Sequence, residues 1–208
     1  MLSILIANHK GGSGKTTIAS NLATAFASGG LRTTLADSDR QRNSLAWLAT
    51  RPADAAPIVG VDWVGQIGKI PKKTDRLVID SPAAMRMRKV DRLIRMADVI
   101  LVPVAPSIFD QATTVAFLNR LQTLKPIRKQ RRAVAVVRNR VRARTRASEQ
   151  LDKFVQSLSV EAIGRLPDRA IFPDLAMRGL GVFDLSGKRM ETLVEDWRAL
   201  VDFIEGAA

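Results

Sequence analysis

The chain has 208 residues, 46% hydrophobic and 25% charged, a balance suited to a globular protein with a large core. It has no cysteine, which excludes a disulfide framework and any thiolate metal site, and no apolar run approaches the roughly 20 residues of a membrane span. The formal net charge of +13 is concentrated in residues 81–146, where 16 Lys/Arg meet three Asp/Glu, as expected of a polyanion binder.

The N-terminus enters an apolar run, Leu2 to Ala7, with no basic-then-apolar leader, so a cytoplasmic protein without membrane association is expected. Ser3–Ala7 is predicted as a buried strand. Lys10-Gly11-Gly12-Ser13-Gly14-Lys15-Thr16-Thr17 follows it, and a helical pattern then spans 15–28. Strand, glycine loop and helix form the context of a phosphate-binding loop. Glycines let backbone N–H groups turn inward around a polyphosphate, and the helix N-terminus adds partial positive charge. Lys15 can reach the terminal phosphates and the Thr16 hydroxyl can bind magnesium. The plain alternative is a glycine-rich turn before a helix.

A strand at Thr33–Ala36 leads into Asp37-Ser38-Asp39-Arg40-Gln41-Arg42-Asn43, with a helix over 43–50 and a strand at Ile58–Trp63. The strand Leu77–Ile79 ends in Asp80-Ser81-Pro82. Ligands of an open parallel sheet gather at the carboxyl ends of its strands, where these acids fall. A hydrolytic site needs carboxylates to hold magnesium and orient water, whereas Asp and Ser also cap helices and form turns. Asp39 is a candidate cap for the helix near Ser44.

A helix over 89–96, a strand Val99–Val104 and a helix over 110–124 come next. The strand Ala133–Val137 then runs into Arg138-Asn139-Arg140, followed by a helix over 146–157 and a short strand at Val160–Ile163. In the last helix Met190, Leu193, Val194, Trp197, Leu200, Val201 and Ile204 share one face, opposite Glu191, Glu195, Asp196, Asp202 and Glu205. That acidic face argues for core packing rather than membrane insertion. Alternating strands and helices without repeats or linkers predict one α/β domain over 1–208, a mostly parallel twisted sheet flanked by helices.

The second lysine of the loop, Lys10, is by itself either a local phosphate ligand or a solvated residue. Lys-Gly-Gly-x-Gly-Lys-Thr-Thr resembles the deviant Walker A motif of ParA/MinD-type P-loop ATPases, and nearly the whole chain resembles small ParA-type partition ATPases. The resemblance implies ATP and Mg2+ as cofactors, bound by Lys10, Gly11, Gly12, Ser13, Gly14, Lys15, Thr16 and Thr17. It implies that Lys10 crosses to a partner's ATP in a homodimer, that Thr16, Asp37 and Asp80 hold the metal, and that Asp39 positions or activates water, with Gln41 supporting its loop. Lys10, Lys15 and Asp39 are thus the catalytic set. Asn139 would contact the base, and Pro103-Val104-Ala105-Pro106-Ser107 with Asp110 and Gln111 would line the dimer face. His9 is read as positional. Arg40 stands where the family usually has proline, which bears on hydrolysis more than on binding. Without cysteine the iron–sulfur branches of the superfamily are disfavoured, and without tyrosine the bacterial tyrosine kinases are too.

The basic segment comprises Arg128, Lys129, Arg131, Arg132, Arg138, Arg140, Arg142, Arg144 and Arg146, with Arg86, Arg88, Lys89, Arg92 and Arg95 upstream. All of these but Arg138 and the upstream group are candidate DNA ligands. No aromatic residue is interleaved and no helix-turn-helix pattern appears, which leaves salt-dependent, sequence-blind contact with duplex phosphates or a merely solvated face. The resemblance implies a nucleoid-associated dimer that binds nonspecific double-stranded DNA and a cargo adaptor of ParB type, segregating plasmid or chromosome. Alternatives are a positioning ATPase for a protein cargo such as a carboxysome, chemotaxis cluster or conjugation complex, a nucleotide-gated DNA-binding protein with little hydrolysis, and a dethiobiotin-synthetase-type ligase of the same fold.

Overall fold

The structure, a computed structural model, describes residues 1–83, 87–129 and 131–207, apart from the side chains of Met87, Arg88 and residues 188–190. Seven strands form one all-parallel sheet: β1 (Leu2–Ile6), β2 (Thr33–Asp37), β3 (Ile58–Asp62), β4 (Arg76–Asp80), β5 (Val99–Val104), β6 (Ala133–Val141) and β7 (Glu161–Pro167). Their order is β3-β2-β4-β1-β5-β6-β7. The helices are α1 (Lys15–Ser28), α2 (Asn43–Ala49), α3 (Met87–Met96), α4 (Ile108–Thr123), α5 (Lys125–Arg128), α6 (Arg146–Gln156), α7 (Ile171–Met177) and α8 (Lys188–Glu205).

The near-continuous apolar runs of β1, β4 and β5 reflect burial on both faces, the usual state of parallel strands covered by helices. Side chains alternate between two cores. Ile4, Ile6 and Val78 pack with Ile18, Leu22 and Phe26 of α1 and with Trp197 and Leu200 of α8. Leu5, Leu77 and Ile79 pack with Leu93 and Ile94 of α3, Phe117 and Leu121 of α4, and Leu151 of α6. The chain leaves central β1 toward β2 on one side and later fills β5 to β7 on the other. The loop after β1 therefore sits at a topological switch point, where ligands bind in open parallel sheets.

Differences from the sequence reading have local causes. β6 continues beyond Val137 to Val141, because pairing with β7 resumes after a bulge at which Arg140 takes a φ of 54°. The unforeseen α5 and α7 are short, and each carries a proline, Pro126 or Pro173, in its first turn, where a missing N–H is tolerated. α8 packs as expected: Leu193, Trp197, Leu200 and Ile204 are buried, and Gly164, at φ 62°, leaves room for Leu200 that a Cβ would occupy. Two of its acids are tied to other elements, Glu205 to Arg76 and Asp196 to Arg169. Met190, placed on the same face, has its side chain outside the description. No helix among the described residues is long and apolar enough to cross a membrane.

One buried ion pair ties α2 to the segment after α7. Arg51 meets Asp184 through both guanidinium nitrogens, at 2.8 and 2.6 Å, with side chains only 5% and 4% exposed. Arg51 also donates to the Gly179 and Ala56 carbonyls, and Asp184 accepts from the Gly181 N–H. Removing one partner leaves the other charge buried and unpaired, so Arg51→Met is expected to cost about 3–5 kcal/mol in urea unfolding. Arg51→Met with Asp184→Leu should cost less than Arg51→Met alone; an equal or larger loss would show that charge pairing is not the source.

Candidate nucleotide-binding site

The glycine loop leaves β1 and closes onto α1. Gly12 and Gly14 have φ of 75° and 90°, the left-handed region that strains other residues, and a Cβ on Gly14 would collide with the Asn139 amide. Hydrogen bonds hold the loop from three sides. Asn139 Nδ2 donates to the Ser13 carbonyl at 2.7 Å, and Lys15 Nζ and Ser13 Oγ donate to the Lys10 carbonyl at 2.9 and 3.2 Å. Asn8 Nδ2 reaches the Pro103 carbonyl at 2.8 Å and Thr114 Oγ1 at 3.0 Å, while its Oδ1 accepts from the Lys10 N–H. Burial lowers the Lys15 pKa, opposed by the charges of Asp80, Asp39 and Asp110.

The acidic residues meet through strand register, with Asp80 level with Ile6 on one side and Asp37 on the other. Thr16 Oγ1 donates to Asp80 Oδ2 at 2.8 Å. Asp80 Oδ1 and Ser81 Oγ are buried without a hydrogen-bond partner, the signature of a site completed by another group. A hydroxyl, a carboxylate and incoming phosphate oxygens suit a hard cation such as Mg2+, which rarely takes an all-protein cage. No group of three or more acidic or histidine residues that could cage a metal exists among the described residues. Burial pushes the Asp80 carboxyl up to about 7, against the Thr16 hydrogen bond, and the Asp37 charge adds to the rise.

Asp37, grouped with Asp80 as a metal residue by the sequence, has its oxygens engaged by protein. Oδ2 accepts from Ser44 N–H, Ser44 Oγ and Leu45 N–H, and Oδ1 from Asp39 N–H. It caps α2 and shapes the loop, the duty considered for Asp39. Asp39 is half-buried, its Oδ1 accepting from Gln41 N–H at 3.0 Å; Arg40 and Gln41 are exposed. Arg42, at φ 50°, closes the turn by donating its N–H to the Asp39 carbonyl and pairs with Asp62. Hydrogen bonds thus define the loop that proline would otherwise stiffen.

Lys10 lies at the mouth, 40% exposed, its Nζ 3.9 Å from buried Asp110 of α4. Ile108 and Phe109 beside Asp110 are 70% and 78% exposed. His9 packs edge-on to Phe117, and its pKa is lowered by burial and then by Lys15, in keeping with a positional role. Asn139 was expected at the end of its strand facing a base; it lies within β6, buried, bracing the loop. The bracing roles of Asn8 and Ser44 and the inward bonding of Lys89, grouped by the sequence with the basic residues, have no signal in their sequence neighbourhood.

The basic segment is divided rather than brought together. Arg128, Lys129, Arg131 and Arg132 precede β6, while Arg140 lies at its carboxyl end and Arg142, Arg144 and Arg146 follow, so the length of the strand separates the two groups. Arg132 pairs with Asp98 and Arg142 with Asp168. Arg140 and Arg144 are exposed in left-handed backbone. Among the upstream residues, Lys89 is turned inward onto main-chain carbonyls; Arg86 and the Arg88 side chain lie outside the described residues.

Residues 4–182 match the CobQ/CobB/MinD/ParA nucleotide binding domain family. The maintenance of carboxysome distribution protein A of Halothiobacillus neapolitanus is 26% identical over 193 residues, 89% of this chain and 88% of that protein. Among solved structures, the MinD cell division protein of Aquifex aeolicus superposes with a TM-score of 0.75 at 20% identity, covering 97% of each chain. An aspartate-to-alanine variant of Cyanothece McdA in complex with ATP also gives 0.75, at 17% identity, covering 97% of this chain and 96% of that one.

The Asp80 environment has a measurable consequence. Its raised pKa means that the folded state holds a proton the unfolded chain releases. That contribution is full below the ordinary value of 3.8 and is lost as pH rises through about 7. In urea unfolding without nucleotide, wild type should lose stability relative to Asp80→Asn across this window. A pH-independent difference would refute the raised pKa.

Proposed function

The chain belongs to the CobQ/CobB/MinD/ParA nucleotide-binding family, and on that premise we propose that it is a magnesium-dependent ATPase that positions a protein cargo over nonspecific double-stranded DNA. The observation that carries the ATPase reading is the meeting of Lys15, Thr16 and Asp80, with exposed Lys10, at the carboxyl ends of the central strands β1 and β4. Residues Gly11 to Thr17 cradle the triphosphate, Lys15 neutralises its terminal oxygens, and Asn139 keeps the loop open to them. Thr16 and Asp80 are the residues that would hold Mg2+, whose charge screens the phosphate oxygens when bound. Asp39 orients the attacking water, and Asp37 fixes the loop that carries it. The exposed Arg40 position, held by hydrogen bonds around it, gives a low-hydrolysis reading little support.

Among the described residues the Lys10 ammonium makes one long contact, to Asp110, which leaves it able to reach a second subunit's phosphates and link ATP to dimerisation. The exposed Ile108 and Phe109 beside it supply apolar area for that face. For the cargo, likeness to a carboxysome distribution protein over most of both chains favours a protein body over the plasmid or chromosome first expected. An adaptor playing the role of ParB would join cargo to ATPase and stimulate hydrolysis, and the protein would reside on the nucleoid.

DNA co-sedimentation with ATP, with ADP and without nucleotide tests this reading. Binding should be strongest with ATP, above a weaker nucleotide-independent background, and fall steeply between low and moderate salt. Lys10→Ala should keep ATP binding and lose dimerisation and ATP-dependent DNA binding. Replacing Arg140, Arg142, Arg144 and Arg146 by alanine should abolish the ATP-dependent increment, since they share the nucleotide's edge. Replacing Arg128, Lys129, Arg131 and Arg132 should weaken binding equally with and without ATP. Salt-insensitive or nucleotide-blind binding by wild type would sink the proposal.

A further inference from the structure

Lys89 stands in the first turn of α3, the helix that follows the Asp80 strand. Its ammonium donates to three main-chain carbonyls: Ser38 at 3.1 Å, Trp63 at 2.7 Å and Val64 at 2.7 Å. An ammonium has three N–H donors, and each has an acceptor here. The acceptors lie beside acidic residues at strand ends. Ser38 sits between Asp37 and Asp39, and Trp63 and Val64 follow Asp62. The same segments are cross-linked by Ser38 N–H and Oγ to the Asp80 carbonyl, at 3.0 and 3.2 Å, and by Trp63 N–H to the Asp37 carbonyl at 2.7 Å. The lysine thus closes a ring joining the ends of β2, β3 and β4 to α3.

An apolar side chain could seat α3 equally well. Drawing an ammonium out of water is unfavourable, and burial lowers the Lys89 pKa accordingly. What the ammonium adds is geometric: three directional bonds that tie the Ser38, Trp63 and Val64 carbonyls, which the Asp37 carboxylate does not reach, to α3. Asp39 is half-buried, and its placement relative to Asp80 depends on the bond from its own N–H to Asp37 Oδ1 and on the Ser38 backbone, whose N–H is held by the Asp80 carbonyl and whose carbonyl is held by Lys89.

We propose that Lys89 is a positioning residue for ATP hydrolysis, clasping the Ser38, Trp63 and Val64 carbonyls so that Asp39 is held against the Asp80 strand. The inference rests on the ATPase reading above and assigns to Lys89 a function other than DNA contact.

Steady-state ATP turnover and hydrogen–deuterium exchange over residues 38–44 test it together. Lys89→Met, which keeps the apolar stem, should lower kcat by about tenfold to a hundredfold with KM for MgATP little changed, and should speed exchange in that segment. In a cycle with Asp39→Ala, the double variant should lose no more activity than Asp39→Ala alone. Lys89→Gln, which retains two donors, should fall between wild type and Lys89→Met and serves if the methionine variant fails to fold. An unchanged kcat, a kcat loss with unchanged exchange, or additive losses with Asp39→Ala would overturn the proposal. Absence of turnover in wild type would instead overturn the ATPase reading and the positioning role with it, while exchange would still report whether the clasp orders the loop.

Discussion

The parallel pairing of β1 with β4 is the constraint on which the rest of the molecule depends. With Ile6 level with Asp80, the loop that leaves β1 returns its first helical turn directly over the Asp80 carboxylate, and the Thr16 hydroxyl closes the gap. A slip of one residue would turn Asp80 to the other face of the sheet and pull apart the two halves of the site. The register is secured by burial on both sides: Ile4, Ile6 and Val78 face one core and Leu5, Leu77 and Ile79 the other.

Around that pairing the site is assembled from loops, and loops need external support to hold a geometry. Asp37, Asn8 and Asn139 provide it by side-chain bonds to backbone: Asp37 to the loop after β2, Asn8 and Asn139 to the glycine loop. Asp80 is the contrasting case, half satisfied and with a destabilised charge. Fully bonded carboxylates shape the site, and the incompletely bonded one is available for chemistry. Arg40 fits this pattern, because a loop fixed by Asp37 has less need of a rigid residue within it.

The distribution of basic residues follows from the same topology. β6 carries one arginine-rich group to each end, so a single run in sequence becomes two surfaces. The carboxyl-end group shares an edge with the nucleotide loop and is linked to it through Asn139. Several cations are matched to carboxylates, including Arg132, Arg138 and Arg142, and Lys89 is turned inward. Net charge alone therefore overstates the area open to a polyanion.

The fold class, all seven strands to within four residues at either end, and the glycine loop between a strand and a helix were legible in the sequence, as was the place of Asp80 at a strand's carboxyl end. They depend on local chemistry: apolar runs long enough for buried strands, glycines where the backbone must turn left-handed, and a lysine and hydroxyl next to a helix start. Tertiary structure alone decided that Asp37 caps a helix, that Asn139 braces the loop from within a strand, that the arginine run is split, and that Lys89 points inward. Each of these is a contact between segments distant in sequence, set by strand order and register, and no residue's own neighbourhood records which strand will lie beside it.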